Sequence, residues 1–322
     1  MKNVKKSHRF SRILKWIGWV LLAQIILLNV SAALHAYKLT HFYSNAGSAN
    51  AKTTSRNIFS KTWKLFVGPR IVKSLIRELP QFEFETIRLK TRNNLNIEAW
   101  YCPVDSAKGT VILFHGISSN KSFLIPEASE FRKSGFNVML VDLRAHGNSG
   151  GSNCTIGFLE SEEVSLAYDY ATKRLSKKIF LYGVSMGAVI ITKAISEYGL
   201  KPEGVILEMP FASLYDHMKA RVRTLGFPEQ PFGVLVTFWT GLERGFNGFN
   251  HKTSFYSEKV YCPVLMQWGA KDNFALKSET NEIFAHLASS NKKLVIYKNA
   301  GHESLFYNEP EKWKNEIREF LE

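Results

Sequence analysis

The sequence predicts an α/β protein in which a mainly parallel sheet is covered by helices on both faces. Two observations predict this class: strand and helix patterns alternate from residue 82 onward, and most strand candidates are short apolar runs. Strands that are buried on both faces have such runs because helices cover them. In sheets of this kind, ligands bind beyond the carboxyl ends of the strands.

Eight strand candidates and five helix candidates carry this prediction. The strands are expected at residues 82–90, 95–101, 110–114, 137–143, 179–182, 205–208, 264–268 and 294–297, with the first two forming a hairpin. The helices are expected at residues 126–133, 161–175, 186–198, 278–287 and 310–320. Residues 211–261 interrupt the alternation, since they are rich in aromatic side chains and too long for a simple crossover. We expect this insertion to form a cap over the ligand site, within a domain of residues 81–322.

The N-terminal region is predicted to contain a membrane anchor. Residues 16–34 carry no charge, and a helix of that length measures roughly 28 Å, close to the hydrocarbon thickness of a bilayer. Residues 1–15 form a basic tail, whereas only Lys38 follows the apolar stretch closely, so the positive-inside rule places the N-terminus in the cytoplasm and the body on the opposite side. A cleaved signal peptide is the alternative, because residues 30–32 are small. The length of the apolar run favours a retained signal anchor over residues 16–36.

The excess positive charge lies in the N-terminal quarter of the chain. Residues 1–77 contain 14 Lys and Arg and no Asp or Glu; subtracting them from the totals of 42 and 28 leaves 28 charges of each sign. A balanced body without a basic stripe argues against nucleic-acid binding. Residues 37–80 are interpreted as a linker and a basic amphipathic segment, which either lies on anionic headgroups or packs as a helix on the body.

The sequence Gly-Val-Ser-Met-Gly at residues 183–187 is the strongest indication of chemistry. It lies on a tight corner between an apolar strand and an apolar helix, where Gly183 and Gly187 leave room for a strained serine. This context predicts that Ser185 is a nucleophile and that the backbone N–H of Met186 stabilises an oxyanion. A second Gly-x-Ser-x-Gly, at residues 147–151, follows a loop and precedes no apolar helix. We therefore reject Ser149 as a nucleophile.

A nucleophilic serine needs a base, and the base needs a partner that fixes its tautomer. Asp272 follows the strand at residues 264–268, and His302 follows the strand at residues 294–297. Both lie at the sheet edge where Ser185 is expected, so they are predicted to complete a triad. Glu208, also at a strand end, is expected either to line the pocket or to act in capping or an ion pair. The three cysteines have no metal-ligand spacing and are expected to be buried thiols rather than a disulfide.

These motifs resemble the α/β-hydrolase fold over roughly residues 82–322. Further matches are His-Gly at residues 115–116, the segment at residues 142–149 and the segment at residues 209–213, which together resemble the Bem46-like and serine aminopeptidase-like subset. By position, the resemblance implies Ser185 as nucleophile, His302 as general base and then acid, and Asp272 as orienting carboxylate. It also implies the backbone N–H of Ile117 as the second oxyanion donor. Ala145 and Ala188 stand where the family commonly has glycine, which affects loop conformation but not the triad.

The sequence therefore predicts a membrane-anchored serine hydrolase that cleaves carboxylic esters or thioesters through an acyl-enzyme, with lipophilic acyl substrates favoured. No metal or organic cofactor is implied. The expected partners are a small or lipid-like acyl substrate and the membrane, and no nucleic acid. Two alternatives stay open: a serine peptidase of the same fold, and a scaffold that keeps the fold only for binding.

Overall fold

The structure is a computed structural model that describes residues 2–44, 58–175 and 178–322. Its strands are β1 (Phe42–Tyr43), β2 (Ile71–Val72), β3 (Glu85–Lys90), β4 (Asn96–Cys102), β5 (Thr110–Phe114), β6 (Asn137–Val141), β7 (Ile179–Val184), β8 (Gly204–Glu208), β9 (Val264–Gly269) and β10 (Lys292–Tyr297). Its α-helices are α1 (Lys2–Thr40), α2 (Ile58–Val67), α3 (Ile125–Lys133), α4 (Ser161–Arg174), α5 (Met186–Tyr198), α6 (Leu214–Thr224), α7 (Phe232–Arg244), α8 (Thr253–Ser257), α9 (Lys277–His286), α10 (Leu305–Asn308) and α11 (Pro310–Leu321). Short 3-10 helices lie at Lys121–Leu124 and Gly248–Asn250.

The central sheet has eight strands in the order β10-β9-β8-β7-β5-β6-β4-β3. Neighbouring strands are parallel from β10 to β6, whereas β4 pairs antiparallel with both β6 and β3. The predicted eight-stranded, mainly parallel sheet is thereby confirmed, with the predicted hairpin at its edge. Strand bounds differ by up to three residues: β3 begins at Glu85, and β6 ends at Val141 because the carboxylate of Asp142 binds the backbone N–H groups of a turn.

The two faces of the sheet form two separate parts of the core. Successive residues of β5 alternate between them: Ile112 and Phe114 belong to one cluster, Val111 and Leu113 to the other. This alternation follows from the two-residue period of a strand. Helices α4 and α5 cover the first face, and α3 and α11 cover the second. Helices on both faces explain why the inner strands are apolar along their whole length.

Helix α1 has two parts in different surroundings. Within the described residues it is the one helix long and apolar enough to cross a membrane, and its side chains from residue 10 to residue 28 are exposed. From residue 31 onward it packs on the body: Ala32 and Ala36 are fully buried, and Leu39 is 4 % exposed. Small side chains let α1 approach α7 closely, where His35 contacts Phe232 edge to face with ring centres 5.2 Å apart.

The segment predicted as a linker is partly folded. Residues 42–43 form β1, which pairs with β2, and α2 packs against α1, where the hydroxyl of Ser31 donates to the carbonyl of Phe66 at 2.6 Å. The remainder of the predicted linker, residues 45–57, lies outside the described residues. Although α2 packs as a helix, it leaves Phe59 and Trp63 78 % and 57 % exposed. The segment thus packs as a helix on α1, and its contact with anionic headgroups stays a prediction.

The insertion at residues 211–261 contains α6, α7 and α8. Helix α6 borders the cavity at the carboxyl edge of the sheet through Arg221. Helix α7 packs instead against α1 and α6, and Val236 and Gly233 face inward. The insertion therefore borders the cavity through α6, and its helix α7 forms the surface on which the end of α1 packs. Its role as a cap stays a prediction.

Candidate active site

Ser185 lies on the turn that joins β7 to α5. Its φ and ψ are 53° and −113°, a strained conformation for a residue other than glycine. The turn is tight because the backbone approaches itself and its neighbour: a Cβ at Gly183 would overlap the backbone of Gly187, and a Cβ at Gly187 would overlap the carbonyl oxygen of Phe114. The two glycines are required by close approach, as predicted from the sequence.

A continuous hydrogen-bonded chain joins Ser185, His302 and Asp272. The Nε2 atom of His302 lies 3.0 Å from the Oγ atom of Ser185, and its Nδ1 atom lies 2.7 Å from Oδ2 of Asp272. The other carboxylate oxygen of Asp272 accepts the backbone N–H groups of Phe274 and Ala275 at 2.7 and 2.9 Å. Since the carboxylate accepts from Nδ1–H, Nε2 is left to accept from the serine hydroxyl. The structure thus brings together the three residues that were expected at separate strand ends.

The two expected oxyanion donors lie beside Ser185. Met186 is the first residue of α5, so its N–H has no acceptor within the helix and points out of the helix N-terminus. Ile117 lines the same cavity as Ser185, directly after Gly116. The loop before it is held by His115, whose Nδ1 lies 2.7 Å from the carbonyl of Gly116 and whose Nε2 accepts the N–H of Leu143 at 3.1 Å. Burial lowers the pKa of His115 to about 4, so it is neutral and shapes this loop rather than acting as a base.

The cavity in front of Ser185 has a volume of about 460 Å³, which suits a small organic ligand. Its apolar wall includes Ile117, Phe123, Leu124, Met209 and Phe274. A second cavity of about 630 Å³ lies at the opposite edge of the sheet, where Pro263 and Asn291 precede β9 and β10. We assign the ligand site to the smaller cavity because it contains the hydrogen-bonded serine and lies at the carboxyl ends of the strands.

Glu208 lies behind the nucleophile rather than in the cavity. Its carbonyl accepts the N–H of Ser185 at 2.7 Å, and its buried carboxyl accepts from Trp313 Nε1 at 2.6 Å and from Gln267 Nε2 at 3.1 Å. Burial raises its pKa to about 8, and no cation pairs with it within the described chain. The expected roles in pocket lining, capping or ion pairing do not describe it, because neutral donors in the core satisfy the carboxyl.

Charged side chains organise the loop after β6. Asp142 binds the backbone N–H groups of Lys121 and Asn148 at 2.8 Å each and forms an ion pair with the buried ammonium group of Lys121. Arg144 pairs with Glu163 at 2.6 Å and with Glu162 at 3.1 Å. Both groups are paired within the fold and do not reach the cavity.

Several cavity residues were missed by the sequence analysis: Phe123, Glu127, Arg221, Phe274 and Tyr307. Phe274 could have been predicted as a cavity residue, since it lies two residues after Asp272. The sequence did not indicate that Arg221 and Glu127 line the cavity, because a charged residue on an amphipathic helix is normally interpreted as facing solvent. Only the packing of α3 and α6 around the sheet edge turns these side chains toward the site.

Comparison with known proteins places the chain among hydrolases. Residues 105–232 match the family model described as serine aminopeptidase, S33. The chain is 28 % identical over 228 residues to protein bem46 of Schizosaccharomyces pombe, covering 68 % of this chain and 71 % of that protein. It is 25 % identical over 240 residues to the uncharacterized membrane protein YNL320W of Saccharomyces cerevisiae, covering 74 % and 79 %.

The fold has a clear counterpart among solved structures. The Pyrococcus furiosus esterase Pf2001 superimposes with a TM-score of 0.67 at 24 % identity, over 77 % of this chain and 95 % of that one. This likeness shows the fold, and the family match and relatives add the hydrolase relationship. The chain thus has the α/β-hydrolase fold, with a match over residues 105–232 to the serine aminopeptidase family model and with relatives that include protein bem46.

Proposed function

We propose that the protein is a membrane-anchored serine hydrolase that cleaves carboxylic esters or thioesters and favours lipophilic acyl groups. The observation that carries this proposal is the unbroken chain from the hydroxyl of Ser185 through His302 to Asp272, which opens on a cavity. A serine without a base is a poor nucleophile, and this geometry supplies the base and its partner.

The proposed reaction proceeds by acyl transfer. His302 Nε2 takes the proton of the Ser185 hydroxyl as Oγ attacks the carbonyl carbon, and Asp272 stabilises the imidazolium that forms. The N–H groups of Met186 and Ile117 donate to the oxyanion. The tetrahedral intermediate collapses as the imidazolium gives its proton to the leaving alcohol or thiol, which leaves an acyl-enzyme. Water, deprotonated by His302, then attacks the ester carbon, and the collapse of the second intermediate releases the acid and restores the Ser185 hydroxyl.

The preference for lipophilic acyl groups rests on the cavity wall and on α1. Apart from the catalytic groups, the wall is largely apolar, and Phe123 at its rim is 50 % exposed. The exposed apolar part of α1, residues 10–28, supports an anchor that holds the domain at a bilayer. In this proposal the basic tail lies in the cytoplasm and the hydrolase domain on the opposite side.

A serine peptidase of the same fold is the second candidate, favoured by the description of the matching family. An aminopeptidase binds the substrate's amino group at an anionic subsite. Glu127 and Glu303 border the cavity. The hydroxyl of Ser304 donates to the carboxyl of Glu127 at 2.8 Å, and burial raises the pKa of Glu127 to about 7, which weakens it as an anion at neutral pH. The carboxylate of Glu303 accepts from the N–H of Gly301 at 3.0 Å and from the amide of Asn308 at 3.3 Å. The ester hydrolase is therefore the better-supported reaction. Parallel assays with an aminoacyl p-nitroanilide and a p-nitrophenyl ester separate the two.

Labelling with a fluorophosphonate probe tests the serine chemistry. The full chain is required, because Ala32, Ala36 and Leu39 of α1 are buried against the body. In detergent micelles we expect the wild-type protein and Ser149→Ala to be labelled and Ser185→Ala not to be labelled. A wild-type protein that does not react, or a Ser185→Ala protein that does, contradicts the proposal and favours a binding scaffold or another nucleophile.

Acyl specificity is tested with p-nitrophenyl esters and acyl-coenzyme A thioesters of increasing chain length. A steep optimum in kcat/KM at medium or long chains is expected for a lipophilic acyl site. A rate that is independent of chain length contradicts the acyl preference, and a comparison of the two series decides between ester and thioester.

A further inference from the structure

Helix α6 places a guanidinium group in the wall of the active-site cavity. Arg221 lines the cavity together with Ser185 and His302. Its Nε–H donates to Nε2 of His217 at 3.1 Å, which is the one hydrogen bond of the guanidinium group within the described residues. No carboxylate of the described chain lies within 4.0 Å of it, so the two terminal amino groups have no partner there.

Two other arginines in sheltered positions have anionic partners. Arg144 binds Glu162 and Glu163, and Arg223, two residues along the chain from Arg221, binds Glu229. Arg221 is instead surrounded by neutral groups, and burial lowers its pKa to about 10, which still leaves it charged at neutral pH. A sheltered cation without an anion is unfavourable, since desolvation is not offset by a charge partner. The unpaired positive charge of Arg221 lies in the wall of the active-site cavity, where an anionic ligand is able to neutralise it.

The neighbours of Arg221 aim it toward the reacting groups. Burial lowers the pKa of His217 well below its usual value, so this histidine is neutral and accepts from Arg221. The guanidinium carbon lies 6.0 Å from the ring centre of Phe274, and that ring centre lies 5.0 Å from the ring centre of His302. The guanidinium carbon is consequently within 11.0 Å of the His302 ring centre, the sum of these two distances. A linker of a few atoms between an ester and an anionic group spans this separation.

The surrounding charges favour one side of the cavity for an anion. The acidic residues of the cavity wall are Glu127 and Glu303. Glu127 is bound by the hydroxyl of Ser304, and Glu303 directly follows His302 in the chain. Arg221 also borders a small cavity of about 60 Å³ together with His35 and Leu39 of α1. An anionic group is therefore attracted to the α6 side, which is also the side of the anchor, and repelled from the side of Glu303.

We propose that Arg221 binds an anionic group of the substrate, a phosphate or a carboxylate, and so directs the enzyme to acyl esters that carry a negative charge close to the scissile bond. This inference rests on the proposed function, because it identifies the substrate class of the same serine site. Two free amino groups on a planar guanidinium match the paired oxygens of either anion.

The test compares three esters with one acyl chain: 1-oleoylglycerol, its 3-phosphate and its 3-hemisuccinate. We expect the wild-type full chain in micelles to prefer the two charged esters over the neutral one. Arg221→Met is expected to reduce that preference, the ratio of kcat/KM values, about 10- to 100-fold, the range of a hydrogen bond to a charged group. Arg221→Lys keeps the charge and is expected to retain part of the preference. Lys219→Met is the matched control, since Lys219 lies on the same helix and pairs with Asp216 outside the cavity.

A preference that survives Arg221→Met overturns the inference, as does a wild-type protein that prefers the neutral ester. The ratio between phosphate and hemisuccinate identifies the anion. Binding of the same three compounds to Ser185→Ala, with and without Arg221→Met, is measured by equilibrium dialysis and gives a readout that needs no hydrolysis. If the wild type hydrolyses none of the esters and is not labelled by a fluorophosphonate, the proposed function fails, whereas the dialysis still decides whether Arg221 selects an anion.

Discussion

Two segments of this chain contain Gly-x-Ser-x-Gly, and the structure uses them differently. Ser185, in the segment of residues 183–187, has a φ of 53° and points its hydroxyl at His302. Ser149, in the segment of residues 147–151, is 1 % exposed. Its hydroxyl donates to the carbonyl of Asp142 at 2.7 Å and accepts the N–H of Glu98 at 2.9 Å. The same five-residue pattern thus gives a candidate nucleophile in one place and a hydrogen bond between loop and strand in the other.

The difference lies in the partners that the fold supplies. The nearby His146 has both ring nitrogens occupied: Nδ1 contacts the carbonyl of Arg144 at 2.7 Å, and Nε2 accepts the N–H of Ser118 at 3.1 Å. The acids differ as well, since Asp142 beside Ser149 is paired with Lys121 whereas Glu208 behind Ser185 meets only neutral donors. A serine motif therefore predicts chemistry only where an unoccupied base reaches the hydroxyl.

The largest expected effect comes from exchanging the two hydroxyls for hydrogen. Ser185→Ala should lower kcat/KM for a p-nitrophenyl ester on the order of 10⁴- to 10⁶-fold, because no other group forms the acyl-enzyme. His302→Ala should be similar and Asp272→Ala somewhat milder. Ser149→Ala should stay within about 10-fold of wild type, since its hydroxyl is remote from the cavity. A Ser149→Ala protein as inactive as Ser185→Ala contradicts the comparison.

The buried ion pair between Asp142 and Lys121, which lies beside residues 147–151, is expected to contribute strongly to the stability of the protein. Lys121→Met leaves the carboxylate of Asp142 buried without its cation and is expected to lower the free energy of unfolding by about 3–5 kcal/mol. Lys133→Met is a matched control, because its ion pair with Glu130 is exposed and contributes less than about 1 kcal/mol. Urea denaturation of both variants measures the difference. Equal losses in the two variants count against a structural role for the Asp142 loop.

Replacing one glycine of each motif by alanine is expected to destabilise the protein, through a clash with a different group in each case. A Cβ at Gly187 meets the carbonyl oxygen of Phe114, and one at Gly147 meets the carboxylate of Asp142. We expect each alanine variant to lose about 1–3 kcal/mol of stability from overpacking. Gly187→Ala should in addition lose activity, because it displaces the start of α5. Gly199→Ala, where φ is positive as at Gly147 but nothing lies within 4 Å, isolates the backbone strain of about 1 kcal/mol for comparison with Gly147→Ala.

A further expected effect is a pH dependence of stability at Glu208. Its pKa is about 8 in the folded protein, above the ordinary value of 4.5, so the folded state binds more protons between these limits. Its contribution to stability is therefore fully present below pH 4.5 and is lost as the pH rises toward 8. Glu208→Gln should make the free energy of unfolding less sensitive to pH between 5 and 8. Parallel wild-type and variant curves over that range would show that Glu208 does not titrate there.

Much of the fold was predictable because its signals are local. The apolar runs of β5, β7 and β9 follow from strands buried on both faces, and α5 was predicted from Met186 to Tyr198 without error. The tight turn at Ser185 was predictable because only glycine, at residues 183 and 187, fits where the backbone approaches so closely. Asp272 and His302 were expected together because parallel strands end at one edge of the sheet.

By itself, the sequence determined the order along the chain of the eight sheet strands and of five helices between and after them. It also determined the strained serine and its two expected partners, since apolar periodicity and turn residues act over a few positions. Only the tertiary structure decided which polar side chains meet. It buried the end of α1 against α7, set Glu208 among neutral donors and turned Arg221 into the cavity without an anion. The physical reason is that the energy of a charge depends on the groups packed around it, and those groups come from distant parts of the chain.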